Sequence, residues 1–140
     1  MSTKLLRVIA GAALLVASGA PLIAHHSFAA EFDANKPVTL KGKVVRMEWI
    51  NPHSWIYIEV TGPDGQVERW QVEGGAPNAL LRRGWNKNSL PYGIEIVVEG
   101  YQAKDGSNRA NGREIIFPDG KKLFVGSSGT GAPYDKKDRQ

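Results

Sequence analysis

The sequence predicts an all-β domain with one short helix, preceded by an export leader. Two patterns carry the domain: period-two alternation of apolar residues in separate short runs, and Gly/Pro/Asp turn signals between those runs. A third observation sets the frame. Met1 to Ala24 has a positive start at Lys4 and Arg7, an apolar run from Val8 to Val16 and a small-residue end, the order of a secretory signal.

The leader spans 1–24. Gly11, Ser18, Gly19 and Pro21 interrupt it, and a membrane span needs about 20 apolar residues, so a retained anchor is the weaker alternative. Cleavage after Ala24 makes His25 the first mature residue. Cleavage after Ala29, with Ser27 and Ala29 as the small pair, is the competing reading and would discard His25 and His26. The expected location is periplasmic or secreted. Loss of the leader removes Lys4 and Arg7 and lowers the formal charge from +4 to +2. No like-charge block exceeds a pair such as Lys136-Lys137, which argues against nucleic acid as a partner. There is no cysteine, so neither disulfides nor thiolate metal ligands are available.

After the leader, 25–37 reads as an approach segment with Phe28, Phe32 and Asp33, 38–125 as the β domain, and 126–140 as a Gly-, Ser- and charge-rich disordered tail. Val38, Leu40, Gly42 and Val44 alternate with polar residues. The apolar phase then slips to Val45, Met47 and Trp49, which predicts a β-bulge and a bend. Asn51-Pro52-His53 breaks the strand because proline has no amide proton to donate. Ser54 to Val60 and Val67 to Val72 flank the turn Gly62-Pro63-Asp64-Gly65. Pro77 near the start and Gly84 near the end bracket a short helix. Ile94 to Tyr101 is the next strand, and Glu114 to Phe117 pairs with Leu123 to Val125 across Pro118-Asp119-Gly120. Three strands, a helix and two or three more strands, with a bent first strand, fit a small OB-like Greek-key barrel; an open β-sandwich is the alternative.

The motifs resemble a known family. His25-His26-Ser27-Phe28, Phe32-Asp33, Trp49-x-Asn51-Pro52-His53-x-Trp55, Glu73-Gly74-Gly75-Ala76-Pro77-Asn78, Arg83-Gly84-Trp85 and Pro118-Asp119-Gly120 are similar to the exported bacterial DUF6152 proteins, from His25 to about Val125. Gly93-Ile94 departs from the Gly-Asp often found there. The resemblance implies a periplasmic single-domain protein and supplies no function.

The chemistry rests first on histidine. With His25 at the mature terminus, its α-amine and imidazole form a chelating pair, and His26 or His53 would complete a three-nitrogen site suited to Cu(II). This resembles a histidine brace in chemistry only. The alternative is a polar terminus, with His53 satisfying loop backbone. Asp33 is a candidate oxygen ligand. The second feature is the loop carrying Asn51 and His53, with Trp49, Trp55, Tyr57, Trp70 and Tyr101 as a candidate stacking platform for a ligand or partner; Trp70 is more readily placed in the core, and Trp55 fits either role.

Catalysis has little support. His53 and Ser54 are adjacent, so in extended chain they face opposite ways, and Glu73 is a lone acid. Gly74 to Asn78 reads as a tight turn rather than an anion cradle, and Arg82-Arg83 as a solvated helix face. The leading expectation is a non-catalytic periplasmic binding or accessory module holding copper or a small ligand. The alternative is a protein–protein adaptor for an exported or membrane-bound complex without metal. A copper enzyme ranks last.

Overall fold

A computed structural model describes residues 27–127 and 129–136. A four-residue helix, α1 (Phe28–Glu31), leads into β1 (Phe32–Glu48), β2 (Trp55–Thr61), β3 (Val67–Glu73), α2 (Pro77–Arg82), β4 (Glu95–Ala103), β5 (Arg109–Ile116) and β6 (Lys122–Phe124). A 3-10 turn, Pro133–Lys136, ends the described chain. The protein is all-β with minor helix.

The strand order is β3-β2-β1-β4-β5-β6, and a parallel pairing of β3 with β5 joins the sheet into a ring. The ring therefore runs β1-β2-β3-β5-β4 and returns to β1, with α2 between β3 and β4. This is the connectivity of the expected OB-like arrangement, and the pairing removes the open sandwich.

Seventeen residues let β1 serve both neighbours. Pro37 to Lys43 pairs with β4 and Gly42 to Glu48 pairs with β2. The register shifts between Val44 and Arg46, where the apolar phase slips in the sequence. Two glycines permit close strand approach at the bends. A Cβ at Gly42 would lie 2.6 Å from the Glu59 carbonyl oxygen, and one at Gly100 2.2 Å from that of Asn111.

Alternation sorts the side chains. Ile56, Ile58, Val72, Val98, Ala110 and Ile115 point into the ring and are buried. Leu80 of α2 and Trp85 just beyond it close one end of this core, and the Trp85 Nε1–H donates to the Phe124 carbonyl at 2.8 Å. Trp70 is core, as expected, with its Nε1–H on Glu68. Gly75 is occupied in strand-end pairing: its N–H donates to the Val125 carbonyl and its carbonyl accepts from Ser54.

Three boundaries differ from the sequence reading. β1 starts at Phe32 rather than Val38, because Phe32 pairs with Ala103 and is buried there. β5 starts at Arg109 rather than Glu114; Ala110 and Gly112 lack the β-branched signal of a strand yet complete the ring. The described part of the 126–140 segment is packed rather than disordered. Ala132 and Tyr134 join Phe28, Phe32 and Ala103 in a second apolar cluster, and Arg83 donates to the Gly126 carbonyl at 2.8 Å. Arg82 is solvated as expected, whereas Arg83 lies over the Phe124 ring at 4.6 Å.

Gly100→Ala is expected to lower stability by about 2 kcal/mol, since the strand facing it must move to admit a methyl group. Urea unfolding of wild type and variant measures this; equal midpoints would contradict the close approach.

Candidate functional site

Period two also places polar side chains on the outside of the ring. Trp55 pairs with Glu73, and Glu73 with Asn111, so these three side chains form one row on the outer face. Glu73 and Asn111 are nonetheless buried. They are covered from outside by α1, by the loop after β1 and by the returning C-terminal segment, not by the main core.

The loop brings His53 over Glu73, and His53 Nδ1 meets Glu73 Oε1 directly. The two side chains are 16% and 10% exposed. Glu73 thus has the partner that sequence reasoning did not give it. Beneath this pair a cavity of about 10 Å³ is lined by Ser27, Glu31, His53, Glu73, Asn111 and Thr130 among others, space on the scale of one water or ion. On the other side an open vestibule of about 280 Å³ is lined by Ile50, Asn51, His53, Trp55, Glu73 and Arg109 among others. Glu31, His53 and Glu73 line both hollows.

The surroundings are charged but paired. Arg109 meets Glu31 at 2.9 Å and lies 5.7 Å from the Trp55 ring centroid. Below, the Tyr134 hydroxyl donates to Asn111 Oδ1 at 2.6 Å. Burial raises the Tyr134 pKa, and the neighbouring Asp135 charge adds to the rise, so the hydroxyl stays a donor well into the alkaline range.

The family is shown by comparison with known proteins. A description titled "Family of unknown function (DUF6152)" matches residues 12–112. The chain belongs to the DUF6152 family. The DUF6152 match spans His53, Glu73, Arg109 and Asn111 and stops short of Tyr134. Comparison with curated proteins and with solved structures gave no match.

The sequence-predicted site residues of this DUF6152 protein are dispersed over the structure. His53, Asn51 and Trp55 come together at the vestibule. Tyr57 sits further along the outer face, where Arg46 lies 4.1 Å over its ring and its hydroxyl donates to Glu48 at 3.2 Å. Trp49 packs against the main core, and Tyr101 meets Phe28 edge-on at 5.4 Å. His25 and His26 lie outside the described residues. Asp33 accepts from the Asn35 amide in the exposed opening stretch of β1. Ser54 is fully buried beneath the loop, out of reach of a substrate. Among the described residues no three metal-ligating side chains cluster, and no helix is long and apolar enough to cross a membrane.

Glu31, Arg109, Asn111 and Tyr134 are the residues that sequence reasoning missed. The Asn111-Gly112 pair reads as a turn, and Tyr134 lies in a stretch of tail-like composition.

Because the folded state holds the Tyr134 proton more tightly than the unfolded chain, its stabilisation is complete below about pH 10 and is lost as pH rises above that. Tyr134→Phe is expected to cost about 1–2 kcal/mol at neutral pH, by leaving Asn111 without its donor. The difference between wild type and variant should shrink in alkaline solution. Urea midpoints from pH 7 to 11 test this, and a constant difference would contradict it.

Proposed function

We propose that this chain is an exported, periplasmic, non-catalytic accessory module that holds a metal or small ligand, with Cu(II) the first candidate, at the His53 corner. One observation carries the reading: Ser27 and His53 line the same small cavity. Ser27 directly follows His25-His26 in the sequence, so its place in this cavity is what supports a site shared with His53.

The donor chemistry fits a borderline cation. Cleavage after Ala24 would give His25 an α-amine beside its imidazole, and His53 would add a second imidazole. Glu73 holds His53 through Nδ1, the arrangement in which a carboxylate fixes the tautomer and raises the basicity of a ligating imidazole. Glu73 is thus a positioning residue here. The vestibule beside Trp55 would give a ligand its approach from solvent. The metal-free adaptor reading draws on Ile50, half exposed at the vestibule rim, and is decided by the same experiment.

Mass spectrometry of the exported protein should find His25 as the first residue. Isothermal titration with Cu(II) should show one tight site, abolished in His25→Ala and His53→Ala. In Glu73→Gln it should be weakened by about 10- to 100-fold. A mature terminus beyond His26, or equal weak binding in all four proteins, would overturn the metal reading and leave the adaptor.

A further inference from the structure

We infer that the outer face of β1, β2, β3 and the start of β5 carries a second binding groove, suited to an acidic oligosaccharide. Register builds it. Arg46 pairs with Tyr57, Tyr57 with Gln71 and Gln71 with Arg109, so four side chains form one row across four strands. Three strand spacings make that row about 14 Å long. A groove of about 550 Å³ follows it, with Arg69, Trp70 and Asn108 also in its walls. That volume lies in the range of small-molecule sites. No Asp or Glu lines it, while three arginines do.

The side chains select the ligand class. Guanidinium forks match carboxylates, and the amides of Gln71 and Asn108 can both donate to and accept from hydroxyls. Arg46 stacked on Tyr57 gives a flat platform against which the apolar face of a sugar ring packs. An added peptide strand fits less well. The groove runs across the strands, so an occupant meets interior strands whose backbone groups are already paired.

Acids flank the arginines, so the groove is less positive than three guanidinium groups alone would make it. Glu48 lies 2.9 Å from Arg46, Glu59 3.3 Å from Arg69 and Glu31 2.9 Å from Arg109. These ion pairs are solvent-accessible and hold their arginines weakly, leaving further N–H groups for a ligand. A sugar acid offers one carboxylate per ring to the guanidinium groups and adds hydroxyls for the Gln71 and Asn108 amides.

Trigalacturonate, its uncharged methyl ester and an oligothymidylate single strand are the probes, titrated into the full mature protein and followed by NMR. Trigalacturonate should bind saturably, shift the amides of Tyr57 and Gln71, and exceed the methyl ester by at least about tenfold. Arg69→Ala and Gln71→Ala alter exposed side chains, so they should fold normally yet weaken binding severalfold. His53→Ala should leave trigalacturonate binding intact, and Arg69→Ala should leave Cu(II) binding intact, so the two sites can fail separately. No saturable binding, equal affinity for the methyl ester, tighter binding of the oligothymidylate, or wild-type affinity in both groove variants would each overturn the proposal.

Discussion

The parallel pairing of β3 with β5 joins Gln71, Val72 and Glu73 to Arg109, Ala110 and Asn111, and each step of this three-residue ladder has a distinct consequence. Val72 beside Ala110 seals the inner core, where both are fully buried. Glu73 beside Asn111 places two polar groups under the His53 loop. Gln71 beside Arg109 completes the row on the outer face. A one-residue slip would turn every one of these side chains to the opposite face, so the inner core holds the outer chemistry in register.

The outer face is finished by the two ends of the described chain. Phe28 donates its backbone N–H to the Thr130 carbonyl, and Phe28, Phe32, Ala132 and Tyr134 bury one another against Ala103. The Phe124 and Tyr134 rings meet edge-on at 5.2 Å. This cluster covers Glu73 and Asn111, which strand alternation alone would leave in water. Buried polar groups must be hydrogen-bonded, and here His53 serves Glu73 while Tyr134 serves Asn111. The satellite cluster thus turns a surface carboxylate into a fixed, half-dry one.

Arg109 links the two hollows of the outer face. It lines both the His53 vestibule and the long groove, lies near the Trp55 ring and pairs with Glu31 of α1. A short helix at the start of the domain therefore positions a guanidinium 78 residues later in the chain. The protein presents one continuous decorated surface over β2 and β3, with the histidine corner at one end and the Arg46–Tyr57 stack at the other.

The sequence by itself determined the all-β class, the bulge near Val44, the short helix opening at Pro77, the final hairpin and the loop that carries His53. Each depends on local signals: apolar period, proline geometry and turn residues within a few positions of one another. It also placed Trp70 in the core. Only the tertiary structure decided that Glu73 has a partner, that Tyr134 is packed rather than part of a loose tail, and that Tyr57, Gln71 and Arg109 share a row. These depend on pairings between residues 14 to 106 positions apart, made by ring closure and by burial of Phe28 and Phe32 against the returning chain. Composition at Gly112 or around Tyr134 carries no trace of such contacts, because the stabilising surface is supplied by the other partner.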